Sequence, residues 1–145
     1  MTSLVYQLDG EIQPISELYD GKPFFRKMTT SKAELEVVNM LFNINTVNKN
    51  IVKIYNVTPT YFDMELLETN YTLTNQIVKQ MAEVKDFLQS INIAYVDWKP
   101  DNIGIDTKGC PKLFDFDGCG LLSSNSNSWY ITPFKGYAYN YASTI

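Results

Sequence analysis

Two short polar motifs late in the chain constrain its fold more than any other feature. The first is Tyr95–Asn102, which reads YVDWKPDN, and the second is the Asp-Phe-Asp-Gly of residues 115–118. Asp, Pro and Asn all favour turns, so either motif alone has an ordinary explanation as a turn. The residues between them alternate apolar positions on both sides of a Lys-Gly pair, which predicts a short β-hairpin. Two such motifs in this order and at this spacing are hard to explain by chance.

The spacing of the charged and amide side chains matches a known pattern. Asn102 follows Asp97 by five residues, Lys99 follows it by two, and Asp115-Phe116 comes later. The catalytic motifs of protein kinases read H-R-D-L-x-x-x-N and, further on, D-F-G. In these residues the chain resembles the protein kinase superfamily.

This resemblance implies a role for each side chain. Asp97 would accept or orient the proton of the attacking hydroxyl, and Lys99 would steady the γ-phosphate of ATP. Asn102 and Asp115 would supply oxygen ligands to Mg²⁺, which prefers such ligands. Phe116 would be the apolar plug that positions Asp115. Positioning and charge neutralisation supply most of the rate of phosphoryl transfer, so these residue types suit that chemistry.

The first 28 residues have the pattern of strands separated by turns. The resemblance implies that the third strand carries a lysine that holds the α- and β-phosphates, and Lys27 is the candidate. Two features depart from the family: the glycine-rich loop is absent, and Phe25 replaces a small residue beside the adenine, where its ring would narrow the base pocket. The predicted strands are Val5–Leu8, Ile12–Tyr19 and Pro23–Met28, with a turn at Asp9-Gly10.

Residues 29–44 are predicted to form a helix, with Ser31 as N-cap and Glu34 at capping-box spacing. At 100° per residue, Glu34 falls on the apolar face of this helix, whereas Glu36 lies opposite. A glutamate on a buried face needs a partner. The resemblance implies that Glu34 pairs with Lys27; a role for Glu34 as a helix cap alone, and Glu36 as the lysine partner, are the alternatives.

The middle of the chain is also similar to the kinase pattern. Residues 50–57 and 61–67 resemble the fourth and fifth strands, and the latter leads into the hinge. This alignment makes Met64 the gatekeeper and implies that the backbones of Glu65 and Leu67 bind the adenine edge. Residues 75–91 are predicted to form a helix that leads to the first motif.

The predicted fold class is therefore α+β, with a kinase-like two-lobe architecture. Residues 1–67 would form an N-lobe built on an antiparallel sheet, and residues 68–145 a reduced, mostly helical C-lobe. Two motif positions depart from the family. Val96 replaces the arginine that reads activation-loop phosphate, which argues against control by phosphorylation there. Asp117 replaces the Gly of D-F-G, as in small-molecule and atypical kinases.

Composition excludes several other classes. A net charge of −4 and a pI near 4.7 give no basic surface for nucleic acid. The chain has no histidine, so a Ser-His-Asp or Cys-His nucleophile system is impossible. It has no apolar run long enough for a membrane span and no signal-peptide pattern. With only two cysteines, this leads us to expect an intracellular, cytoplasmic protein.

The leading functional hypothesis is an ATP- and Mg²⁺-dependent kinase acting on a Ser or Thr hydroxyl, with a protein as substrate. One alternative is a pseudokinase that binds and modulates a signalling kinase, and another is a small-molecule kinase, motivated by Asp117. Size and composition are similar to viral or bacterial effector versions of the fold, which implies a host signalling protein as partner and host cytoplasm as location. Self-association stays open.

Overall fold

The computed structural model describes residues 5–8, 11–14, 18–44, 48–123 and 128–133. Within these ranges the chain has a mixed α+β structure with two α-helices and three β-sheets. The predicted turn at Asp9-Gly10 lies outside the described residues. Neither described helix has the length and apolar character that a bilayer-crossing segment needs. The predicted α+β class is confirmed at this level.

The largest sheet takes all five of its strands from the first half of the chain. They are β1 (Val5–Leu8), β2 (Glu11–Pro14), β3 (Phe24–Met28), β4 (Ile54–Val57) and β5 (Tyr61–Glu65), in the order β2-β1-β3-β5-β4. The β1–β2, β3–β5 and β4–β5 ladders are antiparallel, but β1 and β3 pair in parallel. The prediction of an antiparallel sheet was therefore wrong for one ladder. A parallel pair needs a connection that carries the chain back to the end of the sheet where the first strand began. A hairpin turn does not provide this.

That connection contains a tight turn where the sequence predicted strand. The predicted strand Ile12–Tyr19 is wrong in its second half, because β2 ends at Pro14 and Leu18–Gly21 forms a 3₁₀ turn. Tyr19 and Asp20 have φ angles of 55° and 58°, in the left-handed region that an extended strand does not use. The Tyr19 ring stacks on Tyr55 with centroids 4.7 Å apart, and its hydroxyl donates to the buried Asp63. These contacts hold the turn in place.

Helix α1 spans Lys32–Asn43 and begins where its cap predicts. The Ser31 hydroxyl accepts a hydrogen bond from the Glu34 amide at 3.2 Å, which satisfies one of the free amides of the first turn. Val37 and Val38 are fully buried as the helix packs against β4 and β5. The helix is thus shorter at its N-terminal end than the predicted span 29–44, and Ser31 is its N-cap.

Helix α2 spans Asn75–Ser90, close to the prediction. The Thr74 hydroxyl caps it by accepting from the Ile77 amide at 3.2 Å. Ile77, Met81, Val84 and Leu88 are buried at helical spacing. The prediction of a mostly helical second half is wrong, because α2 is the sole α-helix among its described residues. Short strands follow instead: β6 (Ile93–Ala94), β7 (Ile103–Ile105), β8 (Pro111–Leu113), β9 (Gly120–Leu122) and β10 (Trp129–Ile131).

The predicted hairpin between the two motifs is confirmed. Strands β7 and β8 pair antiparallel, with Gly104 opposite Lys112. Gly109 takes a φ of 82° in the turn, a conformation that costs glycine little. The Asp106 carboxylate accepts hydrogen bonds from the amides of Lys108 and Cys110. The other three short strands form a separate sheet in the order β10-β9-β6.

Backbone hydrogen bonds join this hairpin to the first half of the chain. The amide of Val52 donates to the Leu113 carbonyl at 2.9 Å, and the Leu113 amide donates to the Asn50 carbonyl at 2.8 Å. Glu68 and Ile105 exchange a further pair at 2.9 and 2.8 Å. The predicted strand 50–57 is regular over Ile54–Val57 alone, since residues 50–52 pair with β8 instead. The hairpin is therefore joined both to the segment before β4 and to the segment after β5.

Candidate active site

A lysine and a glutamate from adjacent elements form the first part of the site. Lys27 lies on β3, and its Nζ is 2.6 Å from the Oε2 of Glu34 in the first turn of α1. The Glu34 side chain is 1% exposed and that of Lys27 is 29% exposed. The expected pairing of Lys27 with Glu34 is therefore present. Glu36, the alternative partner, lines a groove on the outer side of α1.

The pKa values of this pair reflect its burial. Burial lowers the pKa of Lys27, but the carboxylates of Glu34 and Asp115 outweigh that effect and raise it above its ordinary value. Burial raises the pKa of Glu34, and the opposing effect of Lys27 does not cancel it. At neutral pH the lysine is therefore a cation. A positive charge is what a group that binds phosphate needs.

Asp115 is the second carboxylate near Lys27, with its Oδ1 3.5 Å from Nζ. Its φ angle of 64° places a non-glycine residue in the left-handed region. Such a conformation costs of order 1–2 kcal/mol and persists only where the surroundings impose it. The next residue, Phe116, is fully buried and meets the ring of Tyr95 edge-on with centroids 5.8 Å apart. The buried Phe116 thus anchors the strained backbone and leaves the Asp115 carboxylate 35% exposed.

The first motif forms a compact loop around the Asp97 carboxylate. The Asn102 side-chain amide donates to both the backbone carbonyl and Oδ2 of Asp97, each at 2.9 Å. The Lys99 ammonium lies 3.6 Å from the same Oδ2. Asp97 and Asn102 are buried, whereas the Lys99 side chain is 42% exposed. The Asn102 side-chain nitrogen is thus bound to Asp97 through both of these hydrogen bonds.

Further hydrogen bonds hold this loop rigid. The Trp98 indole donates to the Tyr95 carbonyl at 3.0 Å, and the Tyr95 hydroxyl donates to the Phe114 carbonyl at 2.7 Å. The Phe114 amide donates to the Asn102 carbonyl at 2.9 Å. From outside the motif, the Tyr71 hydroxyl donates to the Pro100 carbonyl at 2.7 Å, a contact that the sequence analysis missed. No local pattern marks it, because it joins residues far apart in the chain.

A buried cysteine directly follows the second motif, and the sequence analysis did not mark it. Cys119 is 1% exposed, and burial raises the pKa of its thiol well above the ordinary value. The carboxylates that raise this pKa further come from both motifs and from α1: Asp115, Glu34, Asp117 and Asp97. The geometric link between the two motifs is Phe114, which precedes Asp115: its carbonyl accepts from the Tyr95 hydroxyl, and its amide donates to the Asn102 carbonyl.

A cavity of about 320 Å³ opens beside this cluster. Lys27 and Asp115 are its charged residues, and apart from Thr69 the rest of its wall is apolar: Phe25, Phe62, Met64, Leu66, Leu67 and Phe114. Pockets that bind small molecules are mostly apolar with a few polar groups, and they range from about 300 to 1,000 Å³. The cavity is at the small end of that range, and the Phe25 ring forms part of its wall.

The two predicted hinge residues differ in their position. Leu67 lines the cavity. It also packs closely on the hairpin, since a Cβ added to Gly104 would lie 2.5 Å from the Cβ of Leu67. Glu65 does not line the cavity. Its amide donates to the Lys53 carbonyl, and its carboxylate binds the Lys112 ammonium at 2.6 Å. The adenine-binding role of the Glu65 and Leu67 backbones stays a prediction.

The candidate metal ligands of this site are oxygen atoms. No cluster of three or more His, Cys, Asp or Glu side chains suited to a metal occurs among the described residues. The amide of Asn102 and the carboxylate of Asp115 are two hard oxygen donors. Mg²⁺ commonly takes one or two carboxylates from protein and completes its shell with water and phosphate oxygens. By donor type, Asn102 and Asp115 therefore suit Mg²⁺.

A scan against models of known protein families finds no match for this chain. A comparison with curated proteins finds no significant relative either.

Proposed function

We propose that this chain is an ATP-dependent kinase that transfers the γ-phosphoryl group to a Ser or Thr hydroxyl of a protein. The observation that carries the proposal is the placement of Lys27, Glu34 and Asp115 within ion-pair distance beside an apolar cavity. The Asp97–Asn102 loop is tied to the same strand that leads into Asp115. The proposal includes a kinase-like two-lobed fold, with the cavity between the lobes as the nucleotide site.

Each side chain takes a role that follows from its surroundings. Lys27, held cationic by two carboxylates, binds the phosphates of ATP. Asn102 and Asp115 would hold Mg²⁺, which neutralises charge on the phosphate oxygens. Asp97 keeps one carboxylate oxygen bound by Asn102 and presents the other to the attacking hydroxyl. Lys99, whose ammonium lies 3.6 Å from Asp97 and whose side chain is 42% exposed, would steady the γ-phosphate.

Transfer of radiolabelled phosphate from ATP in the presence of Mg²⁺ tests the proposal. The acceptors are casein, a serine- and threonine-containing peptide library and the chain itself. Asp97→Asn removes the base and is expected to lower the rate at least about a hundredfold. Asp101→Asn is the matched control, because Asp101 is an exposed carboxylate in the same loop. Absence of transfer to every acceptor, or equal rates for the two variants, contradicts the proposal.

One observation favours the pseudokinase alternative. The Phe25 ring lines a cavity that is already at the small end of the usual range for ligand pockets. A thermal-shift assay with ATP and Mg²⁺ separates the two functions. A ligand at a hundred times its Kd stabilises the native state by about 2.7 kcal/mol, so a nucleotide-binding protein must melt at higher temperature. No shift with ATP, together with a shift for Phe25→Ala, would favour the pseudokinase.

A further inference from the structure

A second groove lies away from the candidate active site, between the C-terminal ends of α1 and α2. It has a volume of about 290 Å³. Its apolar walls include Leu41 and Phe42 from α1, Ile54 from β4 and Phe87 from α2. Phe42 is 41% exposed, which is a large apolar side chain left open to solvent at the rim. The groove therefore has room and surface for one large apolar side chain.

Lysines are the charged residues that line this groove. Lys49, Lys53 and Lys112 contribute to its wall, and no acidic residue does. Lys112 is compensated by Glu65 at 2.6 Å. Lys49 and Lys53 are exposed, and neither forms an ion pair with a carboxylate of the described residues. In a chain of net charge −4, two lysines beside an apolar groove thus have no carboxylate partner among the described residues; the Lys53 ammonium lies 5.7 Å from the centre of the Tyr55 ring.

We propose that this groove docks an acidic peptide segment of a partner protein, with one large apolar side chain inserted between α1 and α2. Carboxylates on such a segment would face Lys49 and Lys53, so the charges of the two surfaces are complementary. A desolvated aromatic or aliphatic anchor would supply most of the affinity. A membrane surface fits less well, because recognition of anionic lipid uses clusters of about four to eight basic residues. The inference does not depend on the proposed kinase activity.

Selection from a phage-displayed random peptide library tests this inference. The library is panned against the whole chain, and phage that bind the double variant Lys49→Glu/Lys53→Glu are removed. Enriched sequences are expected to combine Asp or Glu with Phe, Trp or Leu. Enrichment of basic or uncharged sequences, or the lack of any enrichment, overturns the inference.

Fluorescence anisotropy with the selected peptide then locates the site. The double lysine variant and Phe42→Ala are each expected to raise Kd at least about tenfold, and higher salt to weaken binding to the wild type. Lys22→Glu is the matched control, because Lys22 is an exposed lysine that does not line the groove, and its Kd should stay within about twofold. Circular dichroism checks that each variant keeps its helices.

Three results would overturn the inference at this stage. The first is equal weakening by Lys22→Glu, which would mean that only net charge matters. The second is lysine-dependent binding to phosphatidylserine vesicles with no competition from the peptide, which would assign the groove to a membrane. The third is dimerisation of the wild type that Phe42→Ala abolishes and the peptide does not affect, which would assign it to a second copy.

Discussion

The Lys27–Glu34 pair gives the sharpest prediction, because its two members are unequally buried. Glu34 is 1% exposed, and its carboxylate accepts a hydrogen bond from the Lys27 ammonium at 2.6 Å. Lys27 is 29% exposed and has Asp115 as a second carboxylate at 3.5 Å. Lys27→Met therefore leaves a buried carboxylate without a cation. Glu34→Gln leaves a lysine that still reaches water and Asp115.

These differences set the expected costs in the free energy of unfolding. Removal of one partner from a buried ion pair costs about 3–5 kcal/mol when the remaining charge is enclosed. Lys27→Met is expected at the low end, about 3 kcal/mol, because Glu34 can take up a proton. Glu34→Gln keeps the shape and a hydrogen bond, and is expected to cost about 1 kcal/mol. Urea unfolding at neutral pH measures both costs by linear extrapolation.

The pH dependence gives a second test of the same reasoning. Burial raises the pKa of Glu34 in the folded protein, and loss of Lys27 raises it further. A pKa that is higher in the folded protein than in the unfolded chain stabilises the protonated native state. This contribution to stability is fully present below the unfolded pKa of about 4.3, and it is lost as pH rises through the folded pKa. Lys27→Met should thus approach the wild-type stability in acid and diverge from it toward neutral pH. Equal costs for the two variants at neutral pH, or a Lys27→Met cost independent of pH, would refute the argument.

Three further predictions concern the loops around the site. Asp115→Gly should abolish phosphate transfer yet change the free energy of unfolding by less than about 1 kcal/mol, since glycine accepts the left-handed φ of 64°. A larger loss of stability in urea unfolding contradicts this. Tyr71→Phe removes the hydrogen bond to Pro100 and should cost about 1 kcal/mol, together with faster amide exchange in that loop; unchanged exchange would mean that the bond does not hold the loop. The pKa of Asp106 is lowered, because hydrogen bonds from two backbone amides and the charge of Lys112 outweigh the effect of burial. The stability that the Asp106 carboxylate contributes is therefore present above its pKa in the unfolded chain. It is lost as pH falls through the lower pKa of the folded protein. Asp106→Asn should flatten the acid limb of the stability–pH curve, and an unchanged limb contradicts this.

The sequence predicted the site residues that carry a local signal. Glu34 was placed on a buried face by helical period and by its distance from the Ser31 cap, and both are determined within one turn of helix. Asp97 and Asn102 were marked by their spacing, and the structure joins them by a direct hydrogen bond. Such features depend on residues close together in the chain, so a pattern in the sequence is enough to find them.

Features that depend on distant pairing left no such signal. The parallel ladder between β1 and β3 is decided by which strand edge the chain returns to, and no local period records that choice. The strands of the second half have two or three residues each, too short for an alternation to stand out. The bond between the side chains of Glu65 and Lys112 joins residues 47 positions apart, so no local pattern marks it. Tertiary packing decided each of these outcomes.

Strand β8 explains why the spacing between the motifs was informative at all. Leu113, the last residue of β8, is fully buried; its amide donates to the Asn50 carbonyl, and its carbonyl accepts from the Val52 amide. The next amide, that of Phe114, binds the carbonyl of Asn102. The hairpin thus brings the end of the first motif beside the start of the second, one residue before Asp115. A change in the length of β7 or β8 would shift this register and separate Asn102 from Asp115, whereas a longer turn at Gly109 would leave both in place. The distance between the motifs in the sequence is therefore a consequence of the strands that join them, and the chemistry of the site depends on that pairing as much as on the motif residues.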